Sequence, residues 1–348
     1  MENRAFYLLE AGKLEERPCE MPVCKEDEVV IKVEYCGVCG SDVYFYKYGS
    51  PDYPKQRFPF ILGHEPGGVI IETGSQVTDL KVGDRVTVEP GYSCGICEWC
   101  KHGLYHLCPE TKFLSVPAPN FIDGAFRKSL AHPAERCCKL PDQISTLQGA
   151  MIEPLAVGMS GVYRSGIRSG DTAVVLGSGC IGLSALQSLG AFGITRTIVV
   201  DLQEKRLAKA RELGAAVTIN AKETDPIKEI ERITGGRGAD YVFETAGSKV
   251  TAAQTPYLAK RGGTIVMIGN TGKFEFDFQR LIDREIMIRT SFRYHDIYPV
   301  ALGLVEAGKI DPASVVTDIF DFKDIKEAFR ACIERQDEVV KAVIKVAD

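Results

Sequence analysis

The stretch TAVVLGSGCIGLSALQSLGAFG, residues 172–193, decides the fold of a large part of this chain. An apolar run is followed by closely spaced glycines and then by a segment with helical spacing, which is the order of a strand, a tight turn and a helix. Gly177, Gly179 and Gly182 form G-x-G-x-x-G at this turn. The missing side chains permit the turn, the close approach of a pyrophosphate and the packing of helix on strand. The stretch therefore predicts a dinucleotide-binding site at a helix N-terminus.

Apolar strands and helices continue to alternate after this stretch. TRTIVVD at 195–201 is the next predicted strand, EKRLAKARELGA at 204–215 the next helix, and GGTIVMIG at 262–269 a later strand. Near-continuous apolar strands of this kind indicate an α/β fold with a doubly wound parallel sheet. We expect 262–269 to be the last strand of a six-stranded sheet, with an edge that could pair with a second subunit.

The strand TRTIVVD ends in Asp201, whose carboxylate is placed to accept hydrogen bonds from the adenosine ribose. Such a carboxylate would repel a 2′-phosphate, so the sequence favours NAD over NADP. Arg206 keeps the alternative open, because an arginine nearby can serve a 2′-phosphate. It can equally be a solvated residue of the helix that follows.

Four cysteines with short spacing stand in the segment GYSCGICEWCKHGLYHLC, at Cys94, Cys97, Cys100 and Cys108. Four thiolates satisfy the tetrahedral preference of Zn²⁺ and leave no open position. The segment therefore predicts a structural zinc lobe at about residues 91–110. The alternative is a loop with free or disulfide-bonded cysteines.

A second set of metal-ligand residues surrounds this lobe in the sequence. Cys39 stands in YCGVCGSD, His64 and Glu65 in LGHEPGG, and Glu153 in MIEPLAVG. A thiolate, an imidazole and a carboxylate describe a catalytic zinc that keeps a position open for water or substrate. The carboxylate ligand can be either Glu65 or Glu153. Each residue alone has an ordinary explanation in packing or solvation. Together, beside a structural zinc lobe, they favour a catalytic metal.

Length and composition limit the remaining possibilities. A chain of 348 residues exceeds one ordinary core, and short Val/Ile-rich strands at 29–91 indicate an antiparallel, barrel-like unit. We expect residues 1–154 and 293–348 to form this catalytic domain around an inserted nucleotide domain at 155–292. A net charge of −5 argues against a nucleic-acid or anionic-membrane partner, and no apolar run is long enough for a membrane span. The chain is rich in cysteines and its first residues do not have the pattern of a secretory signal, so we expect it in a reducing cytoplasm.

These motifs, together with SFRYHDIYP at 291–299, resemble those of the zinc-dependent medium-chain dehydrogenase/reductase family. The chain is most similar to the polyol branch typified by sorbitol (L-iditol 2-) dehydrogenase. The resemblance implies a GroES-like antiparallel β-barrel domain, a Rossmann domain, NAD and two Zn²⁺ per subunit. It also implies a homo-oligomer, either a dimer or a tetramer.

The resemblance implies roles for individual residues. Cys39, His64 and Glu65 would bind the catalytic zinc, Glu153 would touch it through water or substrate, and Ser41 would pass on the proton of the alcohol. The implied cofactor-binding residues are Gly177, Gly179, Ile181, Gly182, Asp201, Arg206, Ile268, Gly269, Phe292 and Arg293. The implied substrate-binding residues are Phe45, Glu153, Arg293 and Tyr294.

Two departures from the family pattern bear on the substrate. Phe45 stands where the sorbitol enzymes have a tyrosine that contacts substrate, and Tyr44 stands where many relatives have a histidine that completes the proton relay. These departures leave open which sugar alcohol is the substrate and by which route the proton leaves. The resemblance as a whole implies an oxidoreductase that converts a secondary hydroxyl of a polyol to a ketose with NAD⁺. The alternatives are a family member acting on a sugar-alcohol phosphate, threonine or a simple alcohol, and a non-catalytic zinc- or nucleotide-binding paralogue.

Overall fold

The computed structural model describes residues 2–49, 58–115 and 120–347. The chain folds into two compact units. The first comprises residues up to Glu153, Tyr298–Glu306 and the chain from Asp311 onward, and the second comprises Pro154–Ile297 and Ala307–Ile310. The return to the first unit thus lies at Tyr298, later than the expected residue 293.

The first unit consists mainly of short strands. Its strands are β1 (Asn3–Glu10), β2 (Lys13–Cys19), β3 (Glu28–Gly37), β4 (Phe60–Ile61), β5 (Glu65–Thr73), β6 (Arg85–Val88), β7 (Gly91–Tyr92), β8 (Lys112–Leu114), β9 (Phe121–Ile122), β10 (Ser129–Pro133), β11 (Cys137–Lys139), β18 (Asp318–Asp321) and β19 (Ala342–Lys345). Its helices are α1 (Gly40–Tyr48), α2 (Glu98–Lys101), α3 (Thr146–Ala150), α10 (Tyr298–Glu306) and α11 (Ile325–Glu334).

The main sheet of the first unit has the order β11-β6-β5-β3-β19-β18, and β10 also pairs with β3. All of these pairs are antiparallel except β18 with β19, which is parallel. The buried aromatic core packs edge to face, with ring centroids 5.1 Å apart for Phe6 and Phe322 and 5.9 Å apart for Phe126 and Phe329. This packing holds the strands whose ends carry the metal-ligand candidates.

The second unit alternates strands and helices. Its strands are β12 (Thr172–Leu176), β13 (Arg196–Asp201), β14 (Val217–Asn220), β15 (Ala239–Glu244), β16 (Ala259–Met267) and β17 (Met287–Thr290). Its helices are α4 (Ile152–Ser165, which starts in the last residues of the first unit), α5 (Cys180–Ala191), α6 (Glu204–Glu212), α7 (Pro226–Ile233), α8 (Lys249–Leu258) and α9 (Phe278–Arg284).

The sheet of the second unit has the order β14-β13-β12-β15-β16-β17, and every pair is parallel. The predicted doubly wound parallel sheet is confirmed, and the apolar residues of β12 are fully buried. The prediction that 262–269 is the last strand was wrong, because β17 pairs beyond β16. All four residues of β17 are exposed and one is Arg289, so this strand lacks the apolar run that marks the others.

Among the described helices, none has the length and apolar character needed to cross a bilayer.

Candidate active site and zinc centres

Three ligand-type side chains converge in the first unit. One ligand atom each from Cys39, His64 and Glu65 lies within 4.8 Å of the others. Cys39 caps the N-terminus of α1, and Glu65 opens β5 directly after His64. His64 and Glu65 are 5% and 1% exposed, and Cys39 is half-buried.

Asp42 ties together the two segments that carry these residues. Its Oδ2 accepts the backbone N–H of Cys39 at 3.0 Å, and its Oδ1 accepts that of Gly63, the neighbour of His64, also at 3.0 Å. The Ser115 hydroxyl donates to Oδ1 at 3.5 Å and lies 3.0 Å from His64 Nδ1. A tautomer in which Nδ1 donates to Ser115 leaves Nε2 as the nitrogen that can bind a metal.

The electrostatics of this cluster favour a cation. Burial alone disfavours a charged imidazole, but the negative charges of Asp42 and Cys39 outweigh it and raise the pKa of His64 well above its usual value. Glu65 is buried, and one of its carboxylate oxygens lies within 4.8 Å of the ligand atoms of Cys39 and His64. A thiolate, an imidazole and a carboxylate are ligands that Zn²⁺ accepts in catalytic sites. Glu153 is buried but belongs to neither described group of metal-ligand atoms.

The residues expected near the reacting alcohol differ in their surroundings. Ser41 is half-buried in the first turn of α1. Phe45 is 7% exposed and is part of the apolar core of the first unit. Tyr44 is 39% exposed, with its ring centroid 5.9 Å from that of Phe45.

The four cysteines of the predicted zinc lobe also converge. Their sulfurs lie within 4.8 Å of one another, with 3.4 Å between Cys97 and Cys100 and 3.6 Å between Cys94 and Cys108. Hydrogen bonds, led by the one from the Ser93 hydroxyl, lower the pKa of Cys100 to about 6 and favour the thiolate that zinc requires. The four sulfurs therefore fit a closed structural zinc site.

The glycine turn of the second unit has the geometry that a pyrophosphate needs. Gly177 has φ +93°, a conformation that favours glycine, and a Cβ on Gly182 would lie 1.8 Å from the Gly177 carbonyl oxygen. Gly179 precedes α5, whose first turn also contains Ile181. Helix N–H groups and the helix dipole at this end favour a bound phosphate.

Asp201 lies at the end of β13, beside this turn. Its Oδ2 accepts the Ser178 N–H at 2.6 Å and its Oδ1 accepts the Gln203 N–H at 2.9 Å. The guanidinium of Arg206 lies close to the turn, since a Cβ on Gly179 would be 3.7 Å from its Nη1. The Asp201 carboxylate is therefore held in one orientation, and the Arg206 guanidinium lies near the same glycine turn.

Comparison of this chain with known proteins shows the family to which it belongs. Residues 25–142 match the alcohol dehydrogenase GroES-like domain, and residues 180–307 match the zinc-binding dehydrogenase domain. The chain is 36% identical to the sorbitol dehydrogenase of Bacillus subtilis, over 95% of this chain and 93% of that protein. This chain belongs to the zinc-dependent medium-chain dehydrogenase/reductase family. Within this family it belongs to the polyol branch, and it is an oxidoreductase that acts on a small alcohol.

Other members of this dehydrogenase family match over the full length. An uncharacterized zinc-type alcohol dehydrogenase-like protein of Escherichia coli is 43% identical, over 100% of both chains. The crystal structure of an E. coli oxidoreductase/dehydrogenase of unknown specificity, involved in membrane biogenesis, superposes with a TM-score of 0.95, at 42% identity over 100% of both chains. A zinc-binding dehydrogenase of Sinorhizobium meliloti bound to NADP has 29% identity and a TM-score of 0.89, over 99% of this chain and 100% of that one. An E. coli alcohol dehydrogenase complexed with NADH has 28% identity and a TM-score of 0.90, over 99% of both chains.

The remaining residues expected to bind cofactor or substrate in this dehydrogenase lie in the second unit. Ile268 and Gly269 follow β16, and both backbone N–H groups donate to the Glu244 carbonyl, at 2.9 and 3.0 Å. Phe292 is 54% exposed, and the Arg293 guanidinium lies 4.8 Å from its ring centroid. Arg293 has φ +51°, an uncommon conformation for a residue with a side chain. Tyr294 is buried.

Sequence reasoning missed four residues that shape these sites. Asp42 lies within the quoted motif, three residues after Cys39, where a carboxylate closes a capping box, so a signal for it was present. Thr245 donates to the carbonyls of Leu176 and Gly177 and fastens the glycine turn to β15. No local signal marks Ser115 or Lys341, because their partners are far away in the sequence.

Proposed function

We propose that this dehydrogenase oxidises a secondary hydroxyl of a polyol to a ketose and transfers the hydride to NAD⁺. The observation that carries the proposal is the convergence of Cys39, His64 and Glu65, the last two of them buried, in segments that Asp42 braces. Three protein ligands of these types leave a fourth position for an alcohol. A non-catalytic paralogue would not need to retain this set.

Zn²⁺ bound to these ligands would supply a Lewis acid that lowers the pKa of the alcohol. Residues of the chain would transfer the proton and hold the water or substrate hydroxyl. Ser41, two residues after Cys39, would accept the proton of the alcohol and release its own hydroxyl proton toward solvent. Glu153 would hold water or a substrate hydroxyl near the metal, and the cluster geometry supports Glu65 as the carboxylate ligand. A second Zn²⁺ in the cysteine lobe would be structural.

The cofactor proposed is NAD, bound by the second unit. The support is the orientation of Asp201, whose two oxygens are held by backbone N–H groups from Ser178 and Gln203. A fixed carboxylate can accept from ribose hydroxyls and would repel a 2′-phosphate. Arg206 would then serve the adenosine side or the pyrophosphate. Ile268, Gly269 and Phe292 would line the nicotinamide end.

The substrate class proposed is polyhydroxylated. Arg293 offers several N–H donors, and its unusual backbone conformation is the kind of strain that functional positions retain. Tyr294 would add a hydroxyl. Phe45 is buried among apolar residues, so it would contribute shape and no polar contact. The similarity to a sorbitol dehydrogenase supports the same class.

We also propose a homo-oligomer, a dimer or tetramer, in the cytoplasm. Among described strands β17 pairs only with β16, and Met287 and Ile288 on it are 51% and 41% exposed. An exposed edge with apolar side chains favours pairing with a second copy. The described cysteines are all free thiols, which supports a reducing compartment. Light scattering of the purified protein would give the number of subunits.

The function is tested by absorbance assays of NAD⁺ and NADP⁺ reduction with pentitols, hexitols, their phosphates, threonine and short secondary alcohols. We expect turnover with NAD⁺ and at least one free polyol. Replacing Arg293 with Ala should raise the KM for the polyol far more than that for 2-propanol. Arg261→Ala, at an exposed residue of the same unit, is the matched control. Preference for a phosphate, threonine or 2-propanol, or for NADP⁺, would contradict the proposal.

A further inference from the structure

A buried lysine lies next to the proposed catalytic zinc ligands. Lys341 is 3% exposed, and its ammonium donates to Glu65 Oε1 at 2.7 Å and also contacts Oε2. Glu65 itself is 1% exposed. Two charges buried this deeply require a close partner, because desolvation of an unpaired charge is strongly unfavourable.

The backbone fixes the position of this ammonium. Lys341 immediately precedes β19, which pairs antiparallel with the end of β3 through Val343 and Gly37. The Val38 N–H donates to the Ala342 carbonyl at 2.9 Å, and Lys341 Nζ donates to the Val38 carbonyl at 3.0 Å. The lysine is therefore anchored to the same stretch of chain that leads to Cys39.

Gly37 provides the space that the ion pair occupies. A Cβ at this position would lie 1.8 Å from Glu65 Oε2 and 2.9 Å from Lys341 Cε. Gly37 is also the register partner of Glu65 in the pairing of β3 with β5. Because Gly37 has no side chain, the Glu65 carboxylate and the Lys341 ammonium can meet against the backbone of β3, beside the metal-ligand cluster.

We propose that Lys341 is a positioning residue for the catalytic zinc, acting through Glu65. Its ammonium contacts both carboxylate oxygens and so holds the Glu65 carboxylate in one orientation beside Cys39 and His64. Its charge also offsets the repulsion between thiolate and carboxylate that converge on one ion. The inference rests on the proposed function. The opposite effect, in which Lys341 withholds Glu65 from zinc, would appear in the experiment as tighter binding without the lysine.

The test compares Lys341→Met, Lys341→Arg and the matched control Lys345→Met, which changes an exposed lysine on β19. Zinc content and chelator competition are measured on the full-length protein, with the cysteine lobe as an internal reference. Loss of a residue that orients a metal ligand typically lowers metal affinity about 10–100-fold. We expect that loss at one of two zinc ions in Lys341→Met, a much smaller change in Lys341→Arg and none in Lys345→Met. Unchanged or tighter binding in Lys341→Met would overturn the inference.

A second comparison covers the case in which Lys341→Met fails to fold. Glu65→Gln removes the negative charge of the ion pair, and the double variant Glu65→Gln/Lys341→Met removes both charges. If Lys341 acts through Glu65, the two variants bind the catalytic zinc equally weakly, and a further loss in the double variant contradicts the inference. Wild-type protein that holds only the lobe zinc would instead contradict the proposed function.

Discussion

Replacing Asp42 with Asn should loosen the catalytic zinc without changing the fold. Asp42 is fully buried, and its two oxygens accept the N–H groups of Cys39 and Gly63, both at 3.0 Å. An amide has one oxygen, so its NH₂ would face one of these two donors and leave it unsatisfied. An unsatisfied buried donor costs about 1–3 kcal/mol. Because both N–H groups belong to ligand-bearing segments, we expect about 10–100-fold weaker zinc binding at this site.

Chelator competition followed by elemental analysis would measure this effect. Asp79→Asn, at an exposed residue of the same unit, is the control and should bind both zinc ions as the wild type does. Circular dichroism should show the native fold in both variants. If Asp42→Asn retained both ions with wild-type affinity, the assignment of Asp42 as the residue that braces the cluster would be wrong.

Three further predictions address other parts of the chain. Burial lowers the pKa of His132 from 6.5 to about 4. The unfolded state therefore binds more protons than the folded state as the pH falls through 6.5, and about 3 kcal/mol of stability is lost by pH 4. Urea unfolding of His132→Gln should be less acid-sensitive than that of the wild type, and an equal sensitivity would contradict this. Gly182→Ala places a Cβ 1.8 Å from the Gly177 carbonyl oxygen, so calorimetry should show lost NAD⁺ binding with zinc content intact, and unchanged affinity would exclude this turn as the phosphate site. Cys100→Ser should remove the zinc from the lobe and loosen it, because structural zinc contributes folding energy. The fluorescence emission of Trp99, the only tryptophan, should then shift to the red. An unshifted emission spectrum in zinc-depleted protein would contradict the structural role.

The sequence predicted the features that depend on local pattern. The strand-turn-helix around Gly177 and the apolar parallel strands follow from periodicity and glycine spacing. The cysteine spacing likewise identified the lobe, because its four sulfurs come from one short segment. The family resemblance supplied the polyol branch, which the comparisons confirm.

Features that depend on distant pairing were not predictable in this way. Lys341 is 276 residues from Glu65 in the chain, and the pairing of β3 with both β19 and β5 brings the two together. Ser115 has φ +60° and reaches His64 from a loop with no motif. The edge strand β17 was missed because its exposed residues lack an apolar run.

The most direct test of the central claim is the zinc content of His64→Ala beside that of the wild type, with NADH binding measured on the same samples. His64 provides the only imidazole among the clustered ligands of the described residues. We expect two zinc ions per chain in the wild type, and one in the variant together with loss of turnover and retained NADH binding. Two ions or undiminished turnover in His64→Ala would contradict a catalytic zinc held by Cys39, His64 and Glu65.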